Sequence, residues 1–318
     1  MFRRVFFRAF SFFFFTITAV QLYPLSDIAS ENSFSDLMGE GGRQLKQEEL
    51  CQKDRNEVQH LTKRYQTHLS NMQKKGEARI PHTIHFIWLG PARFPRQSVA
   101  NVKDFRKHHP DWNIIFWTDS EQRPLPIPDM QRRLVQNYDF GVWQKLIDCA
   151  ENYGEESDIM RYVILYNEGG LYADHDATCF ASFEGLADRY DFVAACEMVH
   201  LHREINTKIL PANGLFLSRA GHKVLQKALE LTNERWDRAS ILYPNSPRRR
   251  TVYRTFQSFV LASKEYCTGD KDIILPTAYF FANRGFTAET TKRLIDIGIT
   301  LSTQVANKTW LHNTKEKP

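Results

Sequence analysis

From residue 79 onward the chain alternates short apolar runs with amphipathic stretches. Five apolar runs bounded by Pro, Gly or polar residues predict buried strands, at residues 83–89, 113–117, 171–173, 191–196 and 214–217. Apolar positions at helical spacing predict helices at residues 98–109, 141–152, 157–167, 223–233, 253–264 and 289–297. Strands that alternate with helices predict a three-layer α/β domain with a largely parallel sheet, in which ligands bind beyond the carboxyl ends of the strands.

The helix predicted at residues 157–167 has signals at both ends. Ser157 can cap its N-terminus, because a serine side chain accepts a hydrogen bond from the first turn. Gly169 and Gly170 are predicted to end it before the next strand begins. This helix and strand therefore form a tight unit whose ends are well defined.

The N-terminus predicts a membrane or export segment at residues 1–26. Arg3, Arg4 and Arg8 precede an apolar run at residues 9–25, which just reaches the roughly 17 residues needed to span hydrocarbon. An uncleaved signal-anchor, a cleaved signal peptide and a buried or interfacial helix all fit this pattern. A signal-anchor would make a single-pass type II membrane protein, with the domain outside the cytosol in a Golgi-like lumen or bacterial envelope. Cleavage would make the protein secreted.

The segment that follows predicts a stem or helical linker at residues 27–78, ahead of a domain at residues 79–318. Residues 44–74 are polar and contain no Pro or Gly, and Gly76 ends the stretch. The apolar side chains in it share one helical stripe, formed by Val58, Leu61, Tyr65, Leu69 and Met72. We expect this helix to dock through a narrow seam.

Composition excludes several classes of protein. The chain has 42 Lys and Arg against 37 Asp and Glu, and its formal charge of +5 is scattered, which argues against a nucleic-acid partner. The only tight basic cluster is Arg248, Arg249 and Arg250, which fits a solvated loop. The five cysteines show no CxxC spacing, which argues against structural zinc and leaves disulfides or reduced thiols open.

Two acidic residues, Asp174 and Asp176, follow the strand predicted at residues 171–173. In an extended segment, side chains two residues apart point the same way, so the two carboxylates would face one spot. Like charges that face each other need a cation or a proton. Mg²⁺ and Mn²⁺ prefer oxygen ligands and usually bind one or two carboxylates together with substrate phosphates. The pair therefore predicts a metal-diphosphate site, or else a solvated turn.

The residues before this pair add to the prediction. Asp158 and Arg161 lie three apart on one helix face, so they form either a surface ion pair or a carboxylate for sugar hydroxyls beside a cation for phosphates. Gly169 and Gly170 allow the backbone to approach closely before the strand that delivers Asp174.

Several motifs occur together and in order. They are residues 80–90 (IPHTIHFIWLG), 109–112 (HPDW), 117–119 (WTD), 158–162 (DIMRY) and 169–176 (GGLYADHD). In this order and spacing, from residue 80 to about 221, the chain resembles the DXD-containing sugar-binding glycosyltransferases of glycosyltransferase family 32, most closely their fungal initiating α-1,6-mannosyltransferase and inositolphosphoceramide mannosyltransferase branches. The resemblance implies a GT-A-type fold, with a Rossmann-like, mostly parallel sheet between helices.

The resemblance also implies a role for each matching residue. Ile87 and Trp88 would contact the nucleotide, Asp158 and Arg161 the donor sugar and diphosphate, and Asn213–Gly214 the donor sugar. Tyr172 belongs to the same nucleotide-sugar site. Asp174 would face the ribose and the water shell of a Mn²⁺ or Mg²⁺ ion that Asp176 ligates, and Asp174, Asp176 and Arg161 would be catalytic. Glu197 is a weaker candidate for the sugar or acceptor side, and His85 fits a buried strand histidine better than a ligand.

The chain also departs from the family pattern. A family Thr/Ser-Gly-Pro segment is replaced by residues 253–256 (YRTF). The family closes with a metal-binding His before Ser-Trp, whereas Thr309–Trp310 here follows Gln304 at the position of that His. Asn307 or His312 could replace the missing ligand.

The expected function is transfer of a hexose from a nucleotide diphosphate sugar to a glycan, lipid or protein hydroxyl, with the family's retention of configuration. The Tyr-Ala-Asp-x-Asp form and Cys179 favour GDP-mannose, with UDP-glucose or UDP-galactose next. A metal-dependent phosphodiester or diphosphate hydrolase would need more clustered His and Asp residues. The other alternative is a weakly active or inactive nucleotide-sugar or glycan-binding protein tethered to the membrane.

Overall fold

A computed structural model describes residues 33–71, 76–77 and 79–305 of the chain. The predicted membrane segment, and the candidate ligands Asn307 and His312, lie outside these described residues. Within them, none of the helices combines the length and the apolar character that crossing a membrane requires.

The described chain folds into nine strands and eleven α-helices. The strands are β1 Thr83–Trp88, β2 Asn113–Thr118, β3 Gln131–Leu134, β4 Gly170–Ala173, β5 Ala177–Cys179, β6 Phe192–Cys196, β7 Pro211–Ser218, β8 Asp272–Leu275 and β9 Ser302–Gln304. The helices are α1 Gln52–Asn71, α2 Arg96–His108, α3 Gln144–Asp148, α4 Tyr153–Glu168, α5 Glu184–Ala187, α6 Lys223–Glu234, α7 Trp236–Leu242, α8 Pro247–Thr251, α9 Gln257–Tyr266, α10 Ala282–Gly285 and α11 Ala288–Asp296.

Seven strands form one mixed sheet in the order β3-β2-β1-β4-β7-β6-β8. Strand β7 runs antiparallel to both of its neighbours, and every other adjacent pair is parallel. Strands β5 and β9 form a separate two-stranded antiparallel sheet. The predicted α/β class with a mostly parallel central sheet is confirmed, and it supports a GT-A-like fold.

Helices cover both faces of the large sheet. The chain moves from β1 through α2 to β2 on one side, then returns through α4 to β4 on the other side of β1, which places α2 and α4 on opposite faces. On the α4 face, the Phe259 ring stacks on Tyr162 with centroids 5.5 Å apart. On the α2 face, Phe86 meets Phe105 edge-to-face at 5.4 Å. The site therefore lies at the edge of a well-packed three-layer core.

The predicted boundaries of helix α4 were wrong at its N-terminus. Asn152, with an extended backbone, caps the helix by accepting a hydrogen bond from the Glu155 N–H. Ser157 lies one turn inside the helix, so it does not cap it. The C-terminal prediction was correct, since Gly169 ends the helix with a φ of 72°.

Other elements also differ from the prediction, among them the buried strand β8, which was not predicted. The helix expected at residues 141–152 is a 3₁₀ turn, Gly141–Trp143, followed by the short α3, and the chain then turns into the Asn152 cap. Strand β3 was not predicted, because its sequence (QRRL) is polar and it lies at the sheet edge, where both Gln131 and Arg132 are exposed. The helix expected at 253–264 begins as a π-helical turn, Val252–Phe256, before α9.

Helix α1 packs on the domain through the predicted stripe. Val58, Leu61 and Tyr65 are buried, and the hydroxyls of Tyr65 and Tyr279 lie 3.2 Å apart. Leu69 is partly buried against the same core, and Met72 lies outside the described residues. The seam is therefore confirmed where it is described, while the boundaries proposed for the stem and domain stay a prediction.

Candidate functional site

A cavity of about 500 Å³ opens where β1 and β4 end and β7 begins. Because β7 is antiparallel to β4, its first residues reach the same sheet edge as the carboxyl ends of β1 and β4. The cavity is lined by the predicted site residues that the structure describes, namely Ile87, Trp88, Asp158, Arg161, Tyr172, Asp174, Asp176, Glu197, Asn213 and Gly214. The fold thus brings together residues that lie as much as 127 positions apart in the chain.

The carboxylates of Asp174 and Asp176 converge on one point. Oδ2 of Asp174 and Oδ1 of Asp176 lie 2.7 Å and 3.0 Å from the same atom, the Nε2 of Gln304. The sequence predicts that the two residues share one face of an extended strand. Strand β4 ends at Ala173, however, so both residues lie in the turn that follows it. The intervening His175 turns to the α2 side, where its Nδ1 lies 2.7 Å from Ser98 Oγ. The two carboxylates do converge, but the turn after β4 brings them together, not a shared strand face.

Arg161 links the helix to the acidic turn. Its guanidinium lies 3.0 Å from Asp158 Oδ1 and 3.2 Å from Asp174 Oδ1, and its Nη1 donates to the Asn213 carbonyl at 2.9 Å. The guanidinium carbon also lies 4.2 Å from the centre of the Tyr172 ring. Only 6% of this side chain is exposed, and these neighbours raise the pKa of Arg161, which keeps it charged. Arg161 therefore fixes two carboxylates relative to each other.

Asp158 is held by donors from three parts of the chain. Besides Arg161, the Thr255 hydroxyl donates to its Oδ2 at 2.5 Å and the Asn213 amide donates to its Oδ1 at 3.1 Å. Burial raises the pKa of Asp158, although Arg161 and both hydrogen bonds oppose that shift. The carboxylate is thus oriented for recognition with little freedom to rotate.

Asp174 has a raised pKa. Burial is the main cause, Arg161 opposes it and Asp176 adds to it, and together these effects bring the pKa of the Asp174 carboxyl to about 6. The Tyr172 hydroxyl donates to Asp174 Oδ1 at 2.7 Å, which fixes the direction of the side chain. A buried acidic pair with one nearby guanidinium retains an affinity for further positive charge.

Trp88 and Ile87 form the β1 wall of the cavity. The Trp88 indole N–H donates to the Ala92 carbonyl at 2.8 Å, and its ring packs edge-to-face on His175 at 4.7 Å. The indole is therefore locked, and a fixed aromatic wall of this kind can pack against a flat ring such as a base.

His85 is a satisfied strand histidine, as predicted. The Trp117 indole N–H donates to its Nδ1 at 3.1 Å, so the proton lies on Nε2, which donates to the Gly169 carbonyl at 3.0 Å. The ring is fully buried, and burial lowers the pKa of His85 to about 4. It is neutral and lies behind the site, supporting the turn that leads into β4.

Glu197 lies directly after β6 and lines the cavity. Its carboxylate pairs with Arg284 at 3.0 Å, and its carbonyl accepts a hydrogen bond from the Thr277 hydroxyl at 2.8 Å. The structure therefore brings Glu197 to the cavity but gives its carboxylate a partner of its own.

The donor atoms present fit a hydrated divalent ion. Two carboxylate oxygens converge at one point, and the amide of Gln304 occupies the place that the resemblance assigns to a metal-binding His. Rotation of that amide by half a turn would present its oxygen in place of its nitrogen. Across residues 33–71, 76–77 and 79–305 no group of three or more His, Cys, Asp or Glu residues converges. Mn²⁺ and Mg²⁺ keep waters and substrate phosphates as ligands, so two carboxylates suffice for them. The five cysteine thiols are free and lie in no such cluster.

Sequence reasoning missed the role of Thr255. It had treated residues 253–256 only as a departure from the family pattern, yet the Thr255 hydroxyl bonds the Asp158 carboxylate across 97 positions of sequence. No spacing rule connects two residues so far apart. Tyr162 was quoted only as part of a motif, but its hydroxyl accepts a hydrogen bond from the Asn213 amide at 2.7 Å and so orients that side chain.

Comparison with known proteins shows that part of the chain matches a family model. Residues 95–193 match the family described as "Glycosyltransferase sugar-binding region containing DXD motif". The chain is 32% identical to subversion of eukaryotic traffic protein A of Legionella pneumophila over 127 residues, which covers 36% of this chain and 20% of that protein. It is 31% identical to inositol phosphoceramide mannosyltransferase 3 of Schizosaccharomyces pombe over 111 residues, covering 34% and 28%. The predicted resemblance to the DXD glycosyltransferases is confirmed.

The extent of these matches is limited. The aligned region spans less than a third of the length of either curated relative. Among solved structures, the PaToxG glycosyltransferase is similar with a TM-score of 0.45 and 16% identity, covering 65% of this chain and 77% of that one.

Proposed function

We propose that this chain, whose residues 95–193 match the DXD-containing sugar-binding glycosyltransferases, is a metal-dependent glycosyltransferase. It moves a hexose from a nucleotide diphosphate sugar to a hydroxyl acceptor, with retention of configuration at the anomeric carbon. The observation that carries this proposal is the convergence of Asp174 and Asp176 beside Arg161 and Asp158 in one cavity.

The protein's own residues divide the work. Asp158 is held by three donors and accepts from the hydroxyls of the donor sugar, while Trp88 packs against the nucleotide. Asp174 and Asp176 would hold Mn²⁺ or Mg²⁺, which when bound neutralises the charge that builds on the diphosphate as it leaves. Arg161 keeps Asp158 and Asp174 in register, and its fixed charge stabilises negative charge at the adjacent diphosphate.

The donor we propose first is GDP-mannose, followed by UDP-glucose or UDP-galactose. The mannosyltransferase name of the Schizosaccharomyces pombe relative supports mannose, as does the Tyr172-Ala173-Asp174 form of the motif. The acceptor is a hydroxyl of a glycan, lipid or protein. We further propose that the chain is a type II membrane protein whose domain lies outside the cytosol, as its N-terminal residues predict.

One observation favours a second function. The amide of Gln304 already donates to both Asp174 and Asp176, so the acidic pair is partly satisfied without a cation. A nucleotide-sugar or glycan-binding protein with little or no catalytic activity would have this arrangement. It would bind the donor but not turn it over.

Two measurements on the full chain distinguish these functions. The first is the melting temperature with each UDP- and GDP-sugar, with and without Mn²⁺, and the second is release of the nucleotide from the donor that binds. The proposed transferase shows a donor-specific, Mn²⁺-dependent shift and release that Asp176→Ala abolishes. Asp296→Ala, which removes an exposed carboxylate paired with Lys292, leaves both unchanged. Binding without release selects the inactive protein, and equal release by Asp176→Ala refutes the role of Asp176.

A further inference from the structure

The hairpin formed by α7, residues 243–246 and α8 presents an apolar tip to solvent. Its side chains Ile241 and Leu242 are adjacent and are 79% and 45% exposed. The other large hydrophobic side chains that are this exposed in the described chain are single residues, Val142, Leu201 and Val305. Single exposed apolar residues are ordinary, whereas an adjacent pair at a tip marks a contact surface.

The same hairpin is strongly basic. Residues 235–250 contain five arginines and a single acidic residue, Asp237. Arg238, Arg248 and Arg249 are exposed, and Arg249 reaches Glu204 at 3.0 Å with 59% of its side chain still exposed. The basic cluster that the sequence had suggested to be a solvated loop is therefore part of a hairpin that carries both exposed cations and an exposed apolar pair.

The hairpin is firmly mounted on the domain. Arg254, which is buried beneath it, donates to the Trp236 carbonyl at 3.1 Å and to the Ser240 hydroxyl at 3.0 Å. Arg254 also pairs with Glu151 at 2.8 Å and with the fully buried Glu155 at 3.2 Å. A buried, multiply bonded arginine holds the tip in place, so the exposure of Ile241 and Leu242 is a fixed feature of the fold.

This surface adjoins the mouth of the cavity. Arg248, Thr251 and Val252 line the cavity, so α8 belongs to its wall. The ion pair between Arg249 and Glu204 joins the hairpin to the loop after β6, whose His200 and His202 line the cavity as well.

We propose that the α7–α8 hairpin docks on the surface of an anionic lipid bilayer. Ile241 and Leu242 enter the boundary between headgroups and acyl chains, and Arg238 and Arg249 meet the lipid phosphates. A hairpin with exposed cations and an exposed apolar pair is complementary to such a surface, which is apolar within and negative at its face. Docking brings the cavity close to the membrane surface. If the proposed function holds, acceptor hydroxyls at that surface would then lie near the cavity.

The test uses the full chain and a position-specific probe, because the N-terminal segment could bind vesicles by itself. An environment-sensitive fluorophore is attached at Ile241→Cys, and separately at Val142→Cys, in a background where the exposed Cys149 and the partly exposed Cys51 are changed to Ser. Val142 is the matched control, being 82% exposed but outside the hairpin. Vesicles of phosphatidylcholine alone are compared with vesicles containing about one third phosphatidylserine.

We expect a blue shift at position 241 with the anionic vesicles, little shift at position 142, and little with neutral vesicles. Arg238→Gln combined with Arg249→Gln should at least halve the shift at 241. No shift at 241, an equal shift at 142, or a shift produced by raising the protein concentration without vesicles overturns the proposal. None of these readouts involves sugar transfer, so the outcome is independent of the proposed function.

Discussion

Gly214→Ala is a small change that should damage the site without damaging the fold. An alanine Cβ at this position in β7 would lie 2.8 Å from Asp174 Oδ2 and 2.8 Å from Gln304 Oε1, whereas ordinary contacts begin at 3.4 Å. Both side chains, or the backbone of residue 214, must therefore move by about 0.6 Å. Neither is free to do so, because Tyr172 and Arg161 hold Asp174, and Gln304 bonds both acids.

A misplacement of about 1 Å in a catalytic arrangement can cost about 100-fold in turnover, so we expect this smaller displacement to cost roughly 10- to 100-fold. Stability should change little, because Gly214 lacks the positive φ that would strain an alanine, and alanine costs less backbone entropy on folding than glycine.

The assay is metal-dependent release of nucleotide from the donor identified by thermal shift, with the melting temperature measured alongside. Gly185→Ala is the matched control, since its Cβ would find only the Arg189 guanidinium, at 3.7 Å and beyond. We expect Gly185→Ala to keep its turnover and Gly214→Ala to lose it at a similar melting temperature. Wild-type turnover in a folded Gly214→Ala protein would show that the acids need not converge as described.

Three further predictions concern the support of the site and the core. Thr255→Val removes the hydroxyl that donates to Asp158, so it should lower the free energy of unfolding in urea by about 1.5–3 kcal/mol. Thr255→Ser keeps the hydroxyl and should retain most of that stability. An equal loss in both variants would contradict the role of the hydroxyl. The Asp54 carboxylate is 1% exposed and accepts hydrogen bonds from the Thr207 hydroxyl and the Lys208 backbone N–H, so Asp54→Asn should accelerate hydrogen exchange at the Lys208 amide. Glu49→Gln, which removes the charge of a partly exposed partner of the Lys208 side chain, should leave that exchange rate unchanged. Burial lowers the pKa of His85 from 6.5 to about 4, so the folded protein loses about 1.4 kcal/mol of stability for each pH unit as the pH falls from 6.5 to 4. If the free energy of unfolding of the wild type falls no more steeply with pH than that of His85→Gln, this role of His85 is contradicted.

The sheet could be read from the sequence because its strands are buried. Apolar runs such as residues 113–117 lie in the middle of the sheet, where burial on both faces makes the pattern continuous. Strand β3 was missed because it is polar and half of its residues are exposed, whereas β8, at the other edge of the sheet, is buried and apolar and was missed as well. The cap of α4 was misplaced because Ser157 and Asn152 are both good caps, and only the chain path before the helix decides between them.

The acidic residues of the site could be predicted from local motifs, but the residues that hold them in place could not. Asp158, Arg161, Asp174 and Asp176 lie within 19 consecutive residues, so spacing alone suggested that they act together. Thr255, in the π-helical turn Val252–Phe256, and Gln304, in β9, reach these carboxylates only because the fold brings both segments to the cavity from distant parts of the chain.

The most direct test of the site is a crystal structure of the full chain grown with Mn²⁺ and the nucleotide diphosphate of its preferred donor. We predict an anomalous manganese peak between the carboxylates of Asp174 and Asp176, with the diphosphate beside it, the base against Trp88, and the amide of Gln304 turned or displaced. A nucleotide bound elsewhere, or bound in this cavity with Gln304 still joining the two acids and no manganese between them, would contradict the account.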